Sequence, residues 1–494
     1  MSIRLLLPFL LAAVFGGCAS FPEERPPEIQ VSEKWKFQGT APAGDTVETL
    51  DWIRAFGSHA LVTMIEQCLQ SSTTVVEADA RLAAARAAMN DARSRLYPQL
   101  SFNGARTASG WLSSRGATGS GAAYTWTLSG AWDMDVWGEH RSSLCAAAYS
   151  VDAQRFAAIG ARLDLISAVT SSFVQLSALR ERLGIANKNL ASALRMQGLI
   201  ASRVAKGYAM QLDLAQQDVL VSTQRVAVAS LDQQVGDSEI ALARLLDVPP
   251  ASMSVDVDSF EKLSIPDIGP GLPTQLLFRR PDVSQSEASL LAADANLQAA
   301  RAAVFPGFSL GASLSNPGSN LVALFTAPVY TVAASVVATV FDGGHLQARR
   351  EIAAAQKHVL LAEYRRSVVG AYADVESALN AVKQADDQAT IQENAVRQAR
   401  QVLALSIARH RAGGDTFLNV LDAQRLVFSQ EDLAVQLRLS RLLAKVALFK
   451  SLGGGWSING QLRTITNSGI PAALHTNGAA DNVPMSESKR ESSQ

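Results

Sequence analysis

Aromatic residues are scarce in this 494-residue chain, 6% against a hydrophobic total of 48%. The apolar share is therefore aliphatic and alanine-rich, which suits long, closely packed helices better than thick globular cores. Charge of one sign is also missing: a formal net charge of −1 gives no case for a polyanionic partner and sets nucleic acid aside. Catalytic signatures are absent as well. The sequence holds no HExxH, no Walker A loop and no G-x-S-x-G elbow, and its six histidines lack metal-ligand spacing. Neither an enzyme nor a metal cofactor is expected. Cys68 and Cys145 lie in unrelated predicted helices and read as unpaired, buried small hydrophobes. Past the first residues there is no further apolar run of about 20, so no transmembrane helix is expected, and any membrane crossing falls to strands.

What is present begins with "MSIRLLLPFLLAAVFGGCAS": a basic residue at Arg4, an apolar run, then small residues before Cys18. This reads as a signal peptide over residues 1–17. Its end, Phe15-Gly16-Gly17-Cys18, resembles a bacterial lipobox, with Phe where Leu is usual. That resemblance implies a covalent lipid on Cys18 as the mature N-terminus, and Ala19 in place of Asp implies sorting to the outer membrane.

The chain then says nearly the same thing twice. "ARSRLYPQLSF" and "ARAAVFPGFSL" align at one constant offset that pairs Pro98 with Pro306, Leu82 with Leu290, Ala84 with Ala292, Arg93 with Arg301 and Ser101 with Ser309. In each, a helical pattern gives way to alternation at the proline, which ends a helical ladder and biases its predecessor to extended geometry. Later landmarks repeat in the same order, Gly138 before Gly343 and Gly344, and Gly207 before Gly413. Duplication is expected, each unit reading helix, strand, strand, long helix, glycine turn, long helix. The boundaries read as an N-terminal extended segment 18–60, a first repeat 61–246, a Pro-rich linker 247–273, a second repeat 274–456 and a disordered tail 457–494.

The strands, expected near 98–136 and 306–341, are two-faced. In "YTWTLSGAWDMDVW" Tyr124, Trp126, Leu128, Trp132, Met134 and Val136 share one side, and Thr125, Thr127, Ser129, Asp133 and Asp135 the other. Val332, Val336 and Val340 likewise oppose Thr331, Ser335 and Thr339. A membrane barrel shows such an apolar face to lipid and lines a wet lumen with the polar one. The glycines of "GATGSG" (116–121) are expected in an exposed loop between strands. Four strands cannot close a barrel, so copies must supply the rest; two, three or four copies would give eight, twelve or sixteen. The proline-free stretch 139–205, with a seam running from Phe156 through Leu163, Val169 and Phe173 to Leu183, predicts a helix roughly 100 Å long, and 344–410 predicts another.

Together "LLFRRPDV", "ARAAVFPGFSL", "VFDGG" and "AGGDTFLNVLDAQR" resemble signatures of the outer membrane efflux protein family, in its lipoprotein branch. The likeness runs from "DWIRAFGSHALVTMI" to "LFKSLGGGW". It implies a mainly α fold with membrane β: a homotrimer whose twelve-strand outer-membrane β-barrel continues into a twelve-helix periplasmic α-barrel, four strands and the long helical hairpins coming from each chain. It also implies a passive gated conduit, opened by a periplasmic adaptor and an inner-membrane pump of RND type. Rival readings are a type I secretion channel and a non-conducting envelope lipoprotein.

Matched residue by residue, the resemblance places a periplasmic gate at the tip turns Gly207, Gly413 and Gly414. Leu418 and Asp422 fall where members carry constricting apolar and acidic rings. Asp213 falls where an aspartate joins a neighbouring helix, and Arg411 lies in the segment that supplies its partner. Asn419 stands where some members have a second aspartate, and His410 where several have tyrosine. Read without the family, Asp213 and Asp422 fit solvated helix faces, Leu418 fits helix packing, and Asp415 fits an N-cap.

Overall fold

The computed structural model describes residues 35–37, 49–113, 116–253, 259–264, 273, 279–318 and 328–454. Cys18 with its lipobox, much of the 247–273 linker and the 457–494 tail lie outside the described residues. Short helices α1 (Thr49–Arg54) and α2 (His59–Ser71) precede α3 (Thr73–Ser94), strands β1 (Gln99–Ser113) and β2 (Gly116–Met134), and helices α4 (Glu139–Ala205) and α5 (Gln211–Leu245). The second unit follows as α6 (Pro281–Ala302), β3 (Gly307–Gly318), β4 (Val329–Val337), α7 (His345–Arg411) and α8 (Phe417–Ser451). Duplication shows in the lengths: α3 and α6 each have 22 residues, α4 and α7 each 67, α5 and α8 each 35. A 67-residue helix is about 100 Å long.

The proline corners are built alike. After α3, Leu96 N donates to Arg93 O and Tyr97 N to Ser94 O; after α6, Val304 N donates to Arg301 O and Phe305 N to Ala302 O. Pro98 and Pro306 come next, each one residue before its strand. On the return side, Asp342 of "VFDGG" accepts from Gly344 N at 2.9 Å and Leu346 N at 2.8 Å, satisfying donors that open α7.

The four strands form one antiparallel sheet in the order β1-β2-β3-β4. Each strand continues one helix: β1 runs on from α3, β2 into α4, β3 from α6 and β4 into α7. The helices keep the same order. Arg162 on α4 pairs with Asp79 on α3 at 2.6 Å, and Gly160 lies against Pro281 of α6. Asp294 on α6 pairs with Lys357 on α7 at 2.9 Å. Farther along, α5 and α8 replace α3 and α6. Arg180 of α4 meets Glu239 of α5 at 2.7 Å, Arg182 of α4 meets Asp432 of α8 at 2.6 Å, and Arg400 of α7 meets Glu431 of α8 at 2.7 Å. The chain is thus one slab of wall. Its first edge is β1 with α3 and α5, and its second is β4 with α7.

The main core lies mid-height. The predicted α4 seam is buried at Ile159, Leu163, Ile166, Val169, Phe173, Leu176 and Leu179. Trp52 of α1 stacks on Phe449 of α8 with centroids 3.8 Å apart, and Phe56 meets Trp52 edge-on. Arg280, in the "RRPD" run, explains that signature: its guanidinium pairs with Asp282 at 2.6 Å and Asp374 at 2.9 Å and reaches the carbonyls of Ala371 and Ser451. One side chain ties the start of α6 to α7 and to the end of α8.

Four expectations change. Cys145 is exposed although Ala146 beside it is buried, because it falls on a side of α4 that no neighbouring helix covers; Cys68 is buried, and both are free. "GATGSG" is strand rather than loop, since β2 begins at Gly116 and pairs Ala117 with Leu112. Strands stop short of the expected limits, leaving Val136, Thr339 and Val340 beyond them. Finally, α4 does contain a stretch long and apolar enough to span a membrane, but more than half of that stretch is buried against its own chain, as a core helix requires.

Candidate functional site

Two places combine the chemistry and the shape that a duct requires, the sheet and the helical tip. In the sheet, register sorts the residues by face. Ser101, Ser129, Ser313 and Thr331 form one cross-strand row, and Asn103, Thr127 and Ser315 form part of the next. Hydroxyls bond along this face, Ser101 to Ser129 at 2.9 Å in the first row and Ser309 to Ser335 at 2.7 Å in the row of Asp133. Rows of the opposite face read Phe102, Leu128, Leu314 and Tyr330, then Leu100, Gly130, Ala312 and Val332. Leu100 is 74% exposed and Val332 75%. In water an apolar face this open would be an aggregation surface; in lipid it is the outer face of a barrel.

At the tip, both turns use one device. Gly207 (φ +74°) and Gly413 (φ +76°) take left-handed conformations that a Cβ disfavours. The following amides close the ends of the long helices, Tyr208 N to Arg203 O at 2.8 Å and Gly414 N to Arg409 O at 3.0 Å. Gly414 itself has no positive φ, so only Gly413 needs to be glycine on backbone grounds.

The acids of the two turns trade places. Asp213 accepts from Met210 N at 3.1 Å and caps its own helix α5. Asn419 holds the matching position of α8, and instead donates to Asp415, whose carboxylate also accepts from Thr416 N at 2.9 Å and lies 3.9 Å from Arg409. Asp415 thereby stands one residue before the N-cap Thr416 rather than being the cap. His410 Nδ1 lies 3.2 Å from Asp415 O, and its ring sits 5.6 Å from that of Phe417.

A small apolar core binds the four tip helices: Ile200 of α4, Leu220 of α5, and Phe417, Val420 and Leu421 of α8, with Leu403 and Ile407 of α7 packed against them. Leu418 is left out of it, 46% exposed. It shares a face with Asp422 one turn on, and Asp422 is exposed beside Arg425 at 3.4 Å. Arg425 is a site residue that the sequence motif does not mark, its one signal being the three-residue spacing from Asp422. Asp213 and Arg411 are not brought together within the chain, because α5 and α7 are opposite edges of the slab with α4 and α8 between them. Arg411 has no ion-pair partner among the described residues.

A slab in which a two-faced sheet continues strand by strand into helices, open at both edges, defines a protomer of an outer-membrane channel. Residues 64–247 and 272–454 match the outer membrane efflux protein family, and the chain belongs to that family. It is 34% identical over 469 residues to the pyoverdine export outer membrane protein OpmQ of Pseudomonas aeruginosa, covering 93% of this chain and 99% of the relative. It is 36% identical over 467 residues to OpmQ of Pseudomonas putida, covering 93% and 98%. The cation efflux system protein CusC of Escherichia coli K12 is 27% identical over 462 residues, covering 92% of this chain and all of that one. Among solved structures, the outer-membrane channel OprN has a TM-score of 0.81 at 26% identity, covering 89% of this chain and 100% of that chain. The Campylobacter jejuni CmeC channel has a TM-score of 0.82 at 16% identity over 92% and 99%, a likeness of fold. The chain is therefore an outer-membrane efflux channel protein, and its family and relatives are channels rather than enzymes.

Proposed function

We propose that three copies close into one continuous duct, a twelve-strand barrel above a twelve-helix tunnel, and that its tip is a gate. The observation that carries this is the pair of open edges: β1 and β4 leave backbone groups unpaired, and in lipid each unpaired group costs several kcal/mol. Copies meeting β4 to β1 also bring α7 of one protomer beside α5 of the next. Arg411 then faces Asp213 of a neighbouring copy across the joint. Leu418 and Asp422 supply an apolar and an acidic ring at the axis, with Asn419 and His410 behind them, and Arg425 tempers the acid charge. Converging carboxylates favour cations at such a constriction. Rearranging the Asp213 to Arg411 contacts frees the helices to swing outward.

The duct has no nucleotide motif of its own, so energy comes from an inner-membrane transporter of RND type through a periplasmic adaptor that docks on the tip. Cys18 carries the lipid anchor, and acyl labelling lost in Cys18→Ser tests it. Likeness to pyoverdine export proteins favours a pyoverdine-like cargo. The deciding experiment is a mass measurement in detergent together with planar-bilayer recording. A mass of three chains with discrete conductance is expected; a monomer, or trimers that never conduct, overturns the duct in favour of an envelope spacer.

A further inference from the structure

Among the described strand residues the lipid face is uncharged except at one point. Among the described strand residues only Arg106 and Asp133 are charged, and Asp133, paired with Ser309, belongs to the hydroxyl face. Arg106 belongs to the apolar face, opposite Tyr124 in the register, with its guanidinium 5.8 Å from the centre of the Tyr124 ring.

Height makes the position meaningful. The apolar rows run from Met134, beside the helices, to Tyr124, next to Gly318. Those eleven residues, ten steps, rise roughly 33 Å along the strand, and a tilt of about 40° leaves roughly 25 Å, the thickness of a barrel's apolar band. Aromatic side chains mark both rims, Trp132 and Phe308 near one, Trp126, Tyr124 and Tyr330 near the other. Arg106 stands on the rim remote from the helices, and β1 and β2 continue past it to Ser113 and Gly116. Its neighbours along that face of β1 are Gly104 and Ala108, so no bulky side chain flanks it. It has no acidic partner among the described residues.

A guanidinium at that level, stacked on a ring with its donor fork open, matches a phosphate bidentately. Resting on the reading of this face as lipid-exposed, we propose that Arg106, seated over Tyr124, binds a phosphorylated headgroup of the outer leaflet. Tyr124 holds the stem and the plane of the cation, and the phosphate oxygens accept from the outward N–H groups.

The test uses the full-length protein and its Arg106→Gln and Arg106→Lys variants in mild detergent, titrated with bisphosphorylated lipid A and with its dephosphorylated form and read by native mass spectrometry. Bisphosphorylated lipid A is expected to bind the parent about fivefold tighter than Arg106→Gln, corresponding to the ~1 kcal/mol of one cation at an anionic lipid surface. Arg106→Lys should fall between them, the dephosphorylated lipid should not distinguish the three, and excess inorganic phosphate should not compete. Equal affinity of parent and Arg106→Gln overturns the proposal, as does full competition by free phosphate. Conductance of the parent is recorded separately, so failure of the duct and failure of the headgroup site are read apart.

Discussion

Trp137 donates its indole N–H to the carbonyl of Pro306 at 2.8 Å, joining the strand-to-helix corner of the first repeat to the helix-to-strand corner of the second. Its ring stacks on Phe305 at 4.8 Å, and Trp132 makes the parallel bond to Leu96 O at 3.1 Å. The bend between sheet and helices is therefore held across the repeats, by rings that also suit a membrane boundary.

Trp137→Phe keeps the stack and loses the bond, so it should cost about 1 kcal/mol. Trp137→Ala loses both and should cost about 2 kcal/mol, the ring being 43% exposed so that no cavity is left. Thermal unfolding followed by loss of sheet signal checks the order; parent-like stability of Trp137→Phe would show the bond to be idle, and equal stability of the two variants would show the same of the stack.

Arg280 is the densest polar joint. Removing it takes a donor from Asp282, Asp374 and two carbonyls, but both carboxylates are at least half exposed and stay solvated, so Arg280→Ala should cost about 1–3 kcal/mol. Arg280→Lys keeps the charge but not the fork, so it should recover only part. Denaturant midpoints of the three proteins are the measurement.

Asp247 gives the fold an acid-sensitive clasp. It accepts from Thr73 N at 2.7 Å, Thr73 Oγ1 at 2.9 Å and Ser72 Oγ at 3.2 Å. The Thr73 amide, then its hydroxyl, hold the carboxyl below its ordinary value. A depressed pKa contributes stability that is complete above the unfolded value, about 3.9, and is lost as pH falls through the folded one. Asp247→Asn, which tolerates the φ of +54° at this position, should lower stability at pH 7 and flatten the profile below about pH 4, where the parent and the variant converge. An unchanged acid limb would place the sensitivity elsewhere.

For the gate, Asp213→Arg and Arg411→Asp should each raise spontaneous opening in planar bilayers, and the double swap should restore closure if the pair spans the joint between copies. Asp422→Ala should raise conductance or weaken cation preference. Restoration failing in the swap, with both single variants folded, would remove the pair from the latch.

Much of the architecture was legible because it is local. Proline corners, the α4 seam and strand alternation are short-range patterns, and the register leaves Leu100, Phe102, Leu128 and Val332 on one face as alternation required. The joints were not legible. Trp52 meets Phe449, and Arg280 meets Ser451, across long stretches of chain that no periodicity links. At the tip the sequence marked Asn419 as a departure, but that it donates to Asp415 depends on how the Gly413 turn folds back. The exposure of Cys145 is not legible because small neighbours in sequence do not reveal which side of a helix the wall leaves uncovered.

The two unfinished edges also bear on inheritance. A subunit with a sound β1 border and a spoiled β4 border could still be accepted by one neighbour, yet the ring could not be sealed by the other. A single defective gene copy, expressed beside a healthy one, would then poison most assemblies rather than merely halving their number.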